Sequence, residues 1–106
     1  MRCVVMNLPD IAKYNTKYRN KVYSNNEIEI VTMKIVKNQN IGMEAHPNTT
    51  QITTIVNGKI LVTLRDATTV LVPGDTIIIP SDTLHDIKAI EDTILYTIYS
   101  PPEKND

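Results

Sequence analysis

The chain has 106 residues with 11 basic and 12 acidic side chains and a formal charge of −1, the size of one domain, without the basic surplus that nucleic acid or an anionic membrane attracts. Its apolar runs, such as Ile77-Ile78-Ile79, fall far short of the roughly 18 residues of a membrane-spanning helix. The opening MRCVVMNLPD lacks the apolar region of about 7–15 residues of a secretory signal, and a lone cysteine, Cys3, allows no internal disulfide, so the cytoplasm is the expected compartment.

Ile (15), Thr (13) and Val (9) together supply 37 residues, and such β-branched side chains favour pleated sheet over helix. Residues 1–26 read as an irregular arm belonging to the same domain: Tyr14, Tyr18 and Tyr23 sit among Asn and Lys with no sustained period. Strand alternation begins at Glu27-Ile28-Glu29-Ile30 and continues through Val31, Met33 and Ile35, with a change of face, and hence a bulge, near Ile30-Val31. From Ile41 to Val56 the alternation predicts two short strands flanking a break at Pro47-Asn48. Asn57-Gly58 predicts a type I′ hairpin, Arg65-Asp66-Ala67 a second tight turn, and Pro73-Gly74-Asp75 a third. Short strands follow over Thr76–Ile79, His85–Ile90 and Thr93–Ser100, and residues 101–106 form a tail. Roughly eight short strands over residues 27–100, with no long helix, linker or repeat, predict an all-β sandwich or small barrel whose interior admits side chains or one small ligand.

Only two histidines occur, and both lie in chemically suggestive segments. In IGMEAHPNTTQITTIVNG, Glu44 and His46 are two apart and share a face when extended; an inward Gln51 carries Thr53 and Ile55 inward with it. In VPGDTIIIPSDTLHDI, an inward His85 carries Ile87 and Ala89 and leaves Asp86 and Lys88 to solvent. Tyr96 and Tyr99 fall on opposite faces of the last strand, so at most one looks inward.

These segments resemble the two motifs of the cupin superfamily. Gly42, Glu44, His46, Gln51 and Gly58 stand at the places of the first motif, and Gly74, Pro80, Asp82 and His85 follow the second in order. Together with the ending Leu95-Tyr96-Thr97-Ile98-Tyr99-Ser100-Pro101-Pro102-Glu103, the pattern is similar to the small single-domain cupins of the mannose-6-phosphate isomerase-like type, over about residues 27–103. The resemblance implies a single-domain cupin, a jelly-roll-like double-stranded β-barrel, with one divalent metal held by Glu44, His46, Gln51 and His85. Such a donor set suits Fe, Mn, Zn or Ni.

The chain departs from the pattern at named positions. Glu44 replaces the first His and Gln51 the usual Glu, which keeps one negative charge but moves it. Asp82 replaces a glycine at a turn it tolerates through its ease with left-handed backbone, and Ala89 stands where Asn is common.

Three functional classes follow: a metal-dependent isomerase or oxygenase acting on a small polar substrate, a non-catalytic module binding a sugar-like molecule, and a metal-free structural dimer. A phosphosugar isomerase calls for Lys or Arg in its pocket, and the inward positions named by alternation (Thr53, Ile55, Ile87, Ala89) supply none. With no Trp or Phe, stacking surface is scarce and a small polar ligand is expected. A homodimer is the expected assembly, since a barrel of this size gains by burying more surface.

Overall fold

The structure is a computed structural model, described here for residues 2–42 and 44–102. The tail residues 103–106 lie outside the described residues. Helix α1 (Leu8–Tyr14) is followed by eight strands: β1 (Arg19–Ser24), β2 (Glu29–Ile35), β3 (Thr50–Asn57), β4 (Ile60–Leu64), β5 (Ala67–Leu71), β6 (Thr76–Ile79), β7 (His85–Ala89) and β8 (Thr93–Ser100). They form a five-stranded antiparallel sheet in the order β1-β2-β8-β3-β6 and a three-stranded one in the order β5-β4-β7. The sheets are separate ladders rather than one closed barrel, in the jelly-roll-like double-stranded arrangement expected from the motifs.

The core lies between the sheets. Val31, Met33 and Ile35 of β2 alternate inward with Leu95 of β8 and Ile55 of β3, meeting Ile60 and Val62 of β4. On β2 the residues of the other face, Ile30 and Thr32, are buried as well, and α1 packs against β2, β8 and β3. This double burial explains the apparent change of face at Ile30-Val31. The β2–β8 register runs without interruption, and the bulge lies instead on β1, between Lys21 and Tyr23.

Three further expectations are corrected. The segment read as an irregular arm contains both α1 and β1. The helix start carries its own signals: the Asn7 side chain accepts from the Asp10 backbone N–H at 3.0 Å, and Pro9 and Asp10 occupy the first turn. Second, the stretch before Pro47 is a broken edge rather than a strand. It follows β7 through Ile41 N–H to the Ile87 carbonyl and isolated bridges at Asn40–Lys88 and Glu44–His85, interrupted around Gly42 at φ 92°.

Third, Asn57-Gly58 is not a hairpin. β3 pairs with β6 and β8, whereas β4 pairs with β5 and β7, so this corner carries the chain from one sheet to the other. A bulge between Ile55 and Asn57 turns β3 aside, and only Gly58, at φ 94°, takes the left-handed conformation that a type I′ turn requires of both residues. Thr93 Oγ1 holds the corner by accepting from Lys59 N–H at 3.2 Å. The two-residue hairpin is at Arg65-Asp66, closed by the Leu64–Ala67 pair.

Candidate metal centre

The inner faces of three strands each run from polar at one end to apolar at the other: Gln51-Thr53-Ile55 on β3, Tyr99-Thr97-Leu95 on β8, and His85-Ile87-Ala89 on β7. The polar ends meet at one mouth of the sandwich, around a cavity of about 400 Å³ lined by Glu44, His46, Gln51 and His85. The apolar ends form the core beneath it.

Backbone pairing brings the two histidine segments together. Glu44 N–H donates to the His85 carbonyl at 2.8 Å and His85 N–H donates to the Glu44 carbonyl at 2.9 Å. Asp82 N–H donates to the His46 carbonyl at 3.0 Å, tying the loop before β7 to the loop before β3. That contact uses Asp82 at φ 58°, so the aspartate adopts the left-handed turn expected where the motif has glycine. Asn48, at φ 64°, turns the chain between His46 and β3.

The side chains converge accordingly. One ligand atom from each of Glu44, His46 and His85 lies within 4.8 Å of the others, and Glu44 Oε2 is 3.3 Å from His46 Nε2. His46 and His85 are buried, with ring centroids 5.3 Å apart, while Glu44 is exposed at the rim. Tyr99 lines the cavity, its ring edge-on to His46 at 5.7 Å. It is the inward tyrosine of the last strand, and Tyr96 faces out.

Two features fit this group to a cation. His85 Nδ1 lies 2.9 Å from the Thr83 carbonyl, which can only accept, so the contact places a proton on Nδ1 and selects, for the neutral ring, the tautomer whose Nε2 can ligate, as ligating imidazoles are commonly oriented. Gln51 Nε2 donates to Thr53 Oγ1 at 3.0 Å, and Thr53 Oγ1 is 2.8 Å from Thr97 Oγ1. With the amide nitrogen anchored, Gln51 Oε1 is buried without a hydrogen-bond partner among the described residues, a costly state for a polar atom unless something else fills it. Two imidazole nitrogens, a carboxylate and an amide oxygen match divalent transition metals.

Sequence alternation missed Arg19 and Tyr18, which line the same cavity. Arg19 stands at one edge of the five-stranded sheet, in register with Met33, and its Nη2 donates to Glu29 Oε1 at 3.1 Å. The pocket therefore contains the cation that the inward positions of β3 and β7 do not provide. Arg19 and Lys21 do alternate in sequence, but the bulge before Tyr23 breaks the series, and a strand whose inner face is charged shows no apolar period.

A family model described as a cupin domain matches residues 31–99. The chain belongs to the cupin family. This cupin is 26% identical to the uncharacterized protein YrkC of Bacillus subtilis over 106 residues, 92% of this chain and 57% of that protein, so it spans little more than half of its curated relative. Among solved structures it superposes on BH2720 from Bacillus halodurans with a TM-score of 0.91 at 26% identity, covering 98% of this chain and 85% of that one. KdgF from Halomonas sp. matches with a TM-score of 0.76 at 27% identity, covering 80% of each chain. A cupin described as RmlC-like from Shewanella frigidimarina matches at 0.74 and 25% identity, covering 79% of this chain and 75% of that one.

Proposed function

We propose that this cupin binds one divalent transition metal (Fe, Mn, Zn or Ni) through Glu44, His46, Gln51 and His85, and takes a small polar molecule at the coordination positions left open. The observation that carries the reading is Gln51 Oε1, buried and unpartnered among the described residues, on a side chain that lines the same cavity as the His/Glu cluster. A bound divalent ion would supply Lewis-acid polarisation of a ligand oxygen. The chain's own residues would bind and orient: His85 through the tautomer set by Thr83, Gln51 through the amide anchored on Thr53, and Tyr99 by packing under His46.

A cavity of about 400 Å³ suits a ligand near the size of a monosaccharide. Within this reading we place a metal-dependent isomerase or oxygenase, with the mannose-6-phosphate isomerase-like subtype as its finer form, and a non-catalytic sugar-binding module as the alternative. Arg19 in the cavity favours the class that handles charged sugars. A cytoplasmic homodimer completes the proposal, supported by the apolar Val70 and Ile78 left exposed on β5 and β6.

The test is metal content by plasma mass spectrometry on untagged protein, with His46→Ala and His85→Ala as controls. About one equivalent of a transition metal, lost in both variants, is the expected result. A protein that takes up none after reconstitution with Fe(II), Mn(II), Zn(II) or Ni(II) would be the metal-free structural dimer instead. Turnover of candidate sugars and oxoacids by the loaded protein then separates enzyme from binding module.

A further inference from the structure

We infer that Arg19 is the recognition residue for an oxyanion on the ligand, so that the cavity selects small molecules that carry a carboxylate or phosphate at the end away from the His/Glu/Gln cluster. The inference deepens the metal-site reading and rests on it only for what holds the ligand's other end.

Three observations carry it. First, Arg19 lines the cavity that also holds Glu44, His46, Gln51 and His85. Second, its guanidinium is held in position rather than free in solvent. Nη2 donates to Glu29 Oε1 at 3.1 Å, and Glu29 is itself buried, with a side chain only 9% exposed. The second Glu29 oxygen lies 3.7 Å from Lys21 Nζ, so two cations flank one carboxylate and the group carries a surplus positive charge. Of the five guanidinium N–H donors, one is used by Glu29, and the side chain keeps 39% exposure for the rest.

Third, the strand register sets the spacing. Glu29, Tyr99 and Gln51 lie directly opposite one another across β2, β8 and β3. Neighbouring strands are about 4.8 Å apart, so the backbone of Glu29, whose carboxylate holds the Arg19 guanidinium, stands roughly 10 Å across the sheet from that of Gln51. Tyr99 stands between them on β8 and lines the cavity. A molecule reaching from the cluster to Arg19 thus spans a cleft with the ligating atoms of the cluster at one end and guanidinium N–H donors at the other, and a guanidinium favours planar or tetrahedral oxyanions through paired N–H bonds.

The experiment is calorimetric titration of the Mn(II)-loaded protein at low salt with D-gluconate, D-mannose 6-phosphate and neutral D-mannose. At least one anion is expected to bind saturably and about tenfold or more tighter than D-mannose, the comparison of gluconate with the phosphate deciding between carboxylate and phosphate. Arg19→Gln is expected to weaken that anion by about tenfold or more while leaving Mn content and D-mannose affinity unchanged, and Arg19→Lys to recover part of the loss. Because Arg19→Gln leaves Glu29 with only Lys21, the double variant Arg19→Gln/Glu29→Gln is titrated beside it to separate lost recognition from lost folding.

An anion affinity that both variants leave unchanged, equal affinity for D-mannose and the anions, or no saturable anion binding by the wild type overturns the inference. If wild-type protein takes up no Mn(II) yet binds an anion in an Arg19-dependent way, the metal reading falls and this one stands.

Discussion

The backbones of Glu44 and His85 exchange both of their hydrogen bonds, at 2.8 and 2.9 Å, although 41 residues separate them in the chain. The two halves of the candidate site are thus clamped by peptide groups before any side chain meets a ligand. Metal removal is therefore expected to leave the β fold intact, with one cooperative thermal transition. Free metal a hundredfold above its Kd is expected to add about 2.7 kcal/mol, or roughly 10–20 °C in Tm for a domain of this size. Differential scanning calorimetry with and without chelator checks both parts.

Gln51 should be the most informative of the four candidate ligands. Gln51→Leu removes the orphaned oxygen together with the donor to Thr53, so metal affinity should fall, while the loss of the Gln51–Thr53 bond, about 1 kcal/mol, is offset by removal of the buried oxygen and the Thr53–Thr97 hydroxyl pair remains. Gln51→Glu puts a second carboxylate beside Glu44 and should bind Mn(II) more tightly than wild type. Fluorescence or calorimetric metal titrations of the two variants should move in opposite directions.

The apolar end of the interior, which reaches the cavity through Leu95 and Ile87, carries stability rather than metal ligation. Leu95 is 1% exposed on the central strand β8, between Met33 and Ile55 in register. Leu95→Ala should cost about 2–5 kcal/mol, lowering Tm by more than about 8 °C, with metal stoichiometry in the folded protein unchanged. Denaturation with urea, followed by metal analysis of the native variant, tests the separation.

Gly58 and Gly74 share a φ of 94° but differ in their surroundings. A Cβ on Gly58 would overlap the Asp92 carbonyl and Thr93, whereas one on Gly74 meets nothing within 4 Å. Gly74→Ala should therefore cost only the left-handed backbone penalty, about 1–2 kcal/mol. Gly58→Ala should cost clearly more, because the corner between the sheets must also shift. Paired thermal melts of the two variants measure the difference.

Light scattering at micromolar concentration should return twice the 12.0 kDa chain mass if the homodimer proposal holds. Ile78→Lys or Val70→Lys, placing a charge on an exposed apolar position of β6 or β5, should then shift the equilibrium toward the monomer without lowering metal content.

Much of the fold and of the candidate site is written locally. Alternation on Val31-Met33-Ile35, Gln51-Thr53-Ile55 and His85-Ile87-Ala89 assigns the inward faces correctly, because each strand buries one side against the same core. The resemblance of two segments to the cupin motifs marks Glu44, His46, Gln51 and His85, which line one mouth of the sandwich, and Asp82 keeps its glycine-like turn because its short side chain tolerates left-handed backbone.

What the chain pattern did not determine is pairing between distant segments. Asn57-Gly58 carries the local chemistry of a hairpin, yet it serves as a corner between sheets. β3 takes β6 and β8 as partners, setting Ile55 beside Leu95 in the core, and β4 takes β5 and β7, a choice no local window contains. Arg19 escaped for a related reason: its strand has no apolar period, and its place in the cavity depends on pairing with β2 and on a buried partner, Glu29. Residue types and their spacing along a strand are properties of the sequence. Which charged strand edges the cavity, and which oxygen stays unpaired inside it, are decided only when the sheets meet and water is expelled.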